Sequence, residues 1–424
     1  LVLVLTAFVG LLSGIYSVGY LERNERSGFV SPKQRTELAA LVPAYLAAML
    51  LVCVSNNLGV LWIAVEATTL ASVFLVAFPN RDTSLEAAWK FLVLGSVGLA
   101  FALFGTVLLF AAGGGMLGES TSALDWTKFM AHARTLHPFT VKLAVVFLVI
   151  GYGTKAGLAP MHTWKPDAYR EAPSPAGVLM AVGMMNCSLY ALLRVHLVSR
   201  AALGPEFSGR LLLGLGLLSV LVATPFILVQ WNLKRLLAYS SVEHVGIIAI
   251  GLGLGGEVAV FGALLHMTYH SFAKPVAFFS AGTLAQLHRS SDLDAIGRGT
   301  LGRTPVASGL LLLATLMVTG SPPFGLFWSE MTILRAGFAG PHLAAVAIFL
   351  AALVVLFCGF FYQVGRLTLG PDTRPADRPT APERLDLAMG TTLGAAAIAV
   401  LSGFSLPGAL LSLVHAAVRV VEGS

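Results

Sequence analysis

Apolar runs of about 20 residues follow one another along almost the whole chain, each long enough to cross roughly 30 Å of hydrocarbon as a helix. They fall at 1–20, 37–54, 56–79, 88–113, 139–158, 173–197, 209–231, 236–254, 258–286, 304–339, 343–366 and 387–413. The pattern predicts an all-α polytopic membrane protein of about twelve spans, not a β-barrel, whose strands would alternate in shorter segments. The run 304–339 is too long for one straight crossing and holds Gly320, Pro322, Pro323 and Gly325. Proline removes a backbone donor and clashes with the turn before it, so this run reads as one broken helix.

Loops after odd-numbered spans carry most of the loop lysines and arginines, among them Arg23, Arg26, Lys33, Arg35, Arg289, Arg298, Arg303, Arg374 and Arg378. The positive-inside rule puts those loops and the 367–386 linker in the cytoplasm. Counting 304–339 as two crossings would move Arg366, Arg374, Arg378 and Arg384 outside and weaken the asymmetry.

Composition agrees with a membrane setting: 56% of the residues are hydrophobic and 11% charged, against about 25% charged in soluble domains, with a mean hydropathy of +0.82. The net charge of +6 calls for anionic headgroups at the cytoplasmic surface and for no nucleic acid. Polar stretches at 21–36, 114–138 and 367–386 are too short to hold a separate core, so residues 1–424 read as a single transmembrane domain. The chain opens with Leu1 in mid-hydrophobic sequence, with no signal-peptide pattern, and reads as one whose start has been lost. Cys53, Cys187 and Cys358 stand isolated, without the spacing of a metal site, an iron–sulfur site or a disulfide framework. There is no Walker A motif, Rossmann glycine fingerprint, CxxC pair or HExxH, so no cofactor or metal is expected in this chain and its energy must come from an ion gradient or partner subunits.

Four ionisable residues break the apolar runs: Glu66, Lys155, Lys274 and Glu330. Together they would cost about 10–14 kcal/mol at a bilayer centre, comparable with the net stability of a whole protein. Charges of both signs on separate helices suit a path for protons or small cations. Glu66 lies about 15 Å along its helix, near mid-membrane; a protonated carboxyl bonded to a neighbouring helix is the simpler alternative. Lys155 stands between Gly153 and Gly157 and before Pro160, where an opened backbone can offer carbonyls to an ammonium group.

His266, His270 and Lys274 follow at i, i+4 and i+8 and share one helix face, which Pro275 then interrupts. Neutral imidazole both donates and accepts, which suits a proton relay. Satisfied core histidines are the alternative; haem is disfavoured because two histidines one turn apart cannot bind one iron from opposite sides. Glu330 follows the second Gly/Pro break and reads as the counterpart of Lys155. Path-lining candidates are Asn186, His244, Tyr239 and His162, while Arg194, near its helix's outer end, reads as snorkelling to the interface.

The segments GYGTKAGLAPMHTW at 151–164 and TGSPPFGLFWSEMTIL at 319–334 each set a charge beside an interrupted helix, a pointer to inverted repeats with a polar site at mid-membrane. The runs LSGIYSVGY, SNNLGVLWIAVEATTLAS, SLEAAWK, GTKAGLAPMHTWKPDAYREAPSP, LKRLLAYSSVEHVG, HMTYHSFAKP and GSPPFGLFWSE resemble the antiporter-like proton-channel subunits of respiratory complex I and its hydrogenase relatives, the F-type membrane proteins of hydrogenase-4 most of all. The resemblance runs from residue 1 to about 340. It implies fourteen helices in two inverted five-helix repeats, here 37–197 and 209–366 with a C-terminal helix at 387–413, and two initial helices this chain lacks.

By the same resemblance Glu66 is the ion-pair glutamate of Lys155, the trio His266, His270 and Lys274 is the central relay, and Glu330 is the terminal residue. Asn186 stands where several relatives carry a bridging lysine. The resemblance further implies a multi-pass subunit of a bacterial-type inner membrane that moves protons beside other membrane subunits of a hydrogenase-linked oxidoreductase complex, with no catalytic centre of its own. A cation/proton antiporter, an inorganic-carbon uptake module and a non-pumping anchor remain alternatives, as does a quinone- or haem-binding subunit.

Overall fold

The computed structural model describes residues 1–113, 121–373 and 380–423; Arg374 and Arg378 lie outside them. Its main helices are α1 Val2–Arg26, α2 Pro32–Val54, α3 Leu58–Ala77, α4 Asp82–Ala112, α5 Pro138–Ala156, α6 Lys165–Glu171, α7 Ser174–Leu203, α8 Glu206–Leu228, α9 Leu233–Leu254, α10 Glu257–His288, α11 Pro305–Val318, α12 Gly325–Phe338, α13 Leu343–Leu369, α14 Leu387–Phe404 and α15 Gly408–Glu422. Ten of these are long and apolar enough to cross a membrane. Helix α10 and the broken pair α11–α12 are not among the ten. Helix α10 can afford its polar residues because it is buried along nearly its whole length, so protein, not lipid, solvates its histidines and lysine.

Start signals fix the helix ends. Ser31 and Gln34 form a capping box ahead of Pro32, satisfying amides that hydrocarbon could not. Asn57 caps α3, accepting from the amides of Gly59 and Val60, and donates to Asp125 at 3.2 Å. Asn232 caps α9 in the same way, accepting from Lys234 and Arg235 and donating to Asp292 at 2.6 Å. Each asparagine–aspartate pair also forms an isolated antiparallel bridge. One device thus recurs in both parts of the chain, tying 57 to 125 after even-numbered spans and 232 to 292 after odd-numbered ones.

Both interrupted helices open where the Gly/Pro clusters stand. Helix α5 stops at Ala156, the chain turns through 157–164, and α6 resumes at Lys165; α11 stops at Val318 and α12 resumes at Gly325. Helix α7 holds a π-helical stretch at Leu179–Met184 just ahead of Asn186.

The last span differs from expectation. The run read as one helix over 387–413 ends at Phe404, because Ser405 is extended and Pro407 cannot continue it. Helix α15 folds back on the protein, burying Val414, Val418 and Val421, stacking His415 on Phe261 and joining Arg200 to Glu422 at 2.7 Å. At the other end of α14, both carboxylate oxygens of Asp386 accept from Arg23 of α1 at 2.5 Å. Outer faces of α3, α4 and α13 expose Ile63, Phe74, Trp89 and Val354, the apolar belt a membrane protein presents to lipid or to neighbouring subunits.

Candidate functional site

Glu66 on α3 and Lys155 at the end of α5 are joined through a hydroxyl. The Nζ of Lys155 donates to Thr69 Oγ1 at 2.8 Å, and Thr69 donates to Glu66 at 3.4 Å. Thr69 is one turn beyond Glu66 on α3, so helix periodicity sets the bridge. The other carboxylate oxygen of Glu66 accepts from Ser96 on α4 at 3.1 Å. Lys155 is 1% exposed and its ammonium lies 4.7 Å from the centre of the Phe91 ring, a desolvated cation–π contact. Glu66 itself is half-buried, its carboxylate held between α3 and α4 by Thr69 and Ser96.

The central group lies between α9, α10 and α12. His244 Nδ1 and His266 Nε2 are 3.0 Å apart, and His266 Nδ1 is 2.9 Å from Ser329 Oγ, one residue from Glu330. Because the two imidazole nitrogens are bonded on both sides, His266 links α9 to α12 as a two-ended connector. His270 sits one turn further, its ring 4.8 Å from that of His244, and among the described residues neither of its ring nitrogens has a hydrogen-bond partner, nor does His244 Nε2. Buried polar atoms of this kind are the natural seats of water. Lys274, fully buried, donates to Ser240 Oγ at 3.0 Å and to the Leu237 carbonyl at 3.2 Å. Glu243, also buried, lies on α9, the helix that supplies Ser240 and Leu237.

The remaining expected positions divide. Asn186 donates to Ser271 of α10, next to His270, at 2.9 Å, and among the described residues its side-chain carbonyl oxygen has no partner. His162 and Tyr239 stand beside each other with ring centres 6.3 Å apart, and Tyr239 stacks on Phe226. The backbone amide of Lys165 donates to the His162 carbonyl at 2.9 Å. Among the described residues, neither is hydrogen-bonded to Lys155 or Lys274.

Arg194 does not snorkel. It is 9% exposed and donates to the Ser55 carbonyl at the C-terminal end of α2 and to Tyr190, with Trp126 and Tyr190 rings against its guanidinium. A cation at a helix C-terminus meets the negative end of its dipole, and that holds the side chain inward. Cys53 and Cys187 are not isolated either, since their sulfurs lie 4.0 Å apart, brought together by the α2–α7 contact.

Among the described residues, three buried charges lie outside the sequence-based expectations: Lys234, which donates to the Ala172 carbonyl at 2.9 Å, Glu243 and Lys165. Glu243, 5% exposed, sits inside the apolar span 236–254, as Glu66 sits inside its own. Lys165 is 0% exposed in a stretch whose composition, TWKPDAYRE, reads as loop; only the return of the broken helix into the bundle buries it. Measured from the breaks, Glu330 is also less the counterpart of Lys155 than supposed, for Lys155 precedes its break and Glu330 follows its own.

Residues 55–355 match the family described as NADH:quinone oxidoreductase/Mrp antiporter, TM. The chain belongs to this transmembrane family. It is 37% identical over 354 residues to the hydrogenase-4 component F homolog of Methylacidiphilum infernorum (isolate V4), covering 84% of this chain and 74% of that one. It is 32% identical over 373 residues to NADH-quinone oxidoreductase subunit N of Desulforudis audaxviator (strain MP104C), covering 85% and 69%. A chain in the structure of a membrane-bound sulfane sulfur reductase, an archaeal respiratory membrane complex, superposes with a TM-score of 0.85 at 26% identity over 99% of this chain and 81% of that one. This member of the NADH:quinone oxidoreductase/Mrp antiporter family is therefore a multi-pass all-α membrane protein that carries the polar groups described above inside its bundle.

Proposed function

We propose that the chain is a proton-translocating membrane subunit of a complex I-like redox complex, linked to a group 4 [NiFe] hydrogenase. The observation that carries this reading is the succession of titratable and hydroxyl groups from Glu66 through Thr69 and Lys155 to Lys274, His244, His266, Ser329 and Glu330, spread over five helices at mid-bundle. A lysine that gains and loses a carboxylate's influence can hold or release its proton. Thr69 makes Lys155 sensitive to Glu66 without fusing the two into a permanent ion pair. From Lys155 the proton crosses to the Lys274 group and leaves through the His266–Ser329 connection toward Glu330.

The two breaks and the repeated asparagine–aspartate clamp support two inverted repeats, 37–197 and 209–366, as the scaffold. The hydrogenase link rests on the component F homolog; the NADH-quinone oxidoreductase relative favours a quinone-linked complex as the second reading. Either way the partners are other membrane subunits, the setting is a bacterial-type inner membrane, and no cofactor is assigned to this chain. A passive anchor leaves unexplained several buried charges that cost several kcal/mol each.

The test is Lys155→Met in the intact complex reconstituted into vesicles. Proton movement coupled to the redox reaction is expected to be lost while the subunits stay assembled. Normal proton movement in that variant would defeat the reading. Co-purification with hydrogenase subunits, as opposed to NADH-dehydrogenase subunits, decides between the two complexes.

A further inference from the structure

Lys165 has no part in the path drawn so far, yet it is as deeply buried as any residue in it. Its Nζ donates to the carbonyl of Ala156 at 2.7 Å and to that of Ser241 at 3.5 Å. Ala156 is the residue next to Lys155; Ser241 is next to Ser240, which holds Lys274. The ammonium group therefore spans the gap between the first lysine and the second. Among the described residues no carboxylate oxygen lies within 4.0 Å of it, and its other close neighbour is the Tyr169 ring, 6.0 Å to the centroid. A buried ammonium group with two carbonyls and no counter-ion is a poor structural element, since an apolar side chain of the same length would fill the space without the desolvation cost.

The backbone is shaped to receive this side chain. Gly157 has φ +83°, and a Cβ there would meet Cδ, Cε and Nζ of Lys165. The second break repeats the arrangement: Gly320 has φ +62°, and a Cβ there would meet the carboxylate of Glu330. In each broken helix a left-handed glycine makes room for the charged side chain that follows the break. Lys165 thus holds, in the first broken helix, the place that Glu330 holds in the second.

We propose that Lys165 is the proton carrier between Lys155 and Lys274, supplying the bridge that Asn186 cannot. This rests on the proton-translocating reading above. The Lys165 ammonium group gives a proton to the neutral amine of Lys274, and the neutral Lys165 amine left behind then takes one up from the Lys155 ammonium group. Each transfer breaks one N–H bond and forms another, the lone pair staying on the donor nitrogen, with a hydroxyl or water between the two. Total charge is unchanged at each step.

The test uses the intact complex in vesicles, with Lys155→Met as the reference. Lys165→Met and Lys165→Gln are expected to lower coupled proton translocation on the order of a hundredfold, the usual worth of a positioned proton-transfer group. Subunit composition should be unchanged, because Gln still donates a hydrogen bond. Lys165→Arg separates carrier from prop: it keeps the charge and the donors but cannot release a proton, so it is expected to stay as inactive as Lys165→Met. Recovery of pumping in Lys165→Arg, normal pumping in Lys165→Gln, or failure of all three to assemble would each overturn the proposal and leave Lys165 a structural group. If Lys155→Met pumps normally, the underlying reading fails; if Lys155→Met is inactive and Lys165→Gln pumps, only this inference does.

Discussion

Lys155 and Glu66 act on each other through a third residue: the hydroxyl of Thr69 lies 2.8 Å from the ammonium group and 3.4 Å from the carboxylate. A direct ion pair would hold its proton too firmly to cycle, whereas a hydroxyl can accept from one side and donate to the other. Thr69→Val keeps the shape of the side chain and removes that link. Hydrogen bonds to charged groups contribute about 1.5–3 kcal/mol, so proton translocation in vesicles is expected to fall on the order of tenfold or more. Thr69→Ser, which retains the hydroxyl, is expected to stay near wild type.

His266 is bonded at both ring nitrogens, to His244 and to Ser329. Removing either partner leaves one buried nitrogen unsatisfied, at about 1–3 kcal/mol. Ser329→Ala is expected to slow translocation and lower thermal stability by roughly that amount. His266→Leu is expected to stop translocation altogether while the complex assembles. Dye quenching in inverted vesicles reads the first effect, and a melting curve in detergent reads the second.

Gly320 matters for what it leaves open. With φ +62° and the Glu330 carboxylate packed where a Cβ would stand, Gly320→Ala meets both backbone strain and a collision. It is expected to destabilise the protein by about 1 kcal/mol or more and to reproduce the pumping defect of Glu330→Ala. A Gly320→Ala complex that pumps normally would show that Glu330 need not occupy this position.

The clamp between Arg23 and Asp386 gives a pH dependence at the membrane surface. Burial alone pushes the Asp386 carboxyl up, but the hydrogen bonds and charge of Arg23, with the amides of Met389 and Ala388, outweigh it and hold the group below its ordinary value of 3.8. A lowered carboxyl stabilises the fold fully above the ordinary value and loses that contribution as pH falls through the lower folded value. Melting temperature is therefore expected to drop on acidification below pH 3.8 more steeply in the wild type than in Asp386→Asn. Equal slopes would mean that the pair contributes nothing.

Much of this was readable before any coordinates because membrane solubility writes itself into composition. Long apolar runs marked the spans, and a charge inside such a run marked Glu66, Lys155, Lys274 and Glu330. The same rule would have found Glu243. It could not find Lys165, whose neighbours are polar and whose burial depends on α6 folding back beside α9. Nor could one-dimensional spacing show that Cys53 meets Cys187, that Arg194 turns inward to the end of α2, or that the last run breaks at Ser405. Those depend on which helices touch, and periodicity says which face is apolar without saying which neighbour covers it.

The most direct measurement is proton uptake into vesicles carrying the complex, with Glu66→Gln and Glu330→Gln compared side by side. The two residues lie at opposite ends of the same succession of groups and share no contact. If one path joins them, either substitution alone is expected to reduce uptake to the level of Lys155→Met, and the double variant no further. Uptake that survives the loss of either end would contradict a single continuous path.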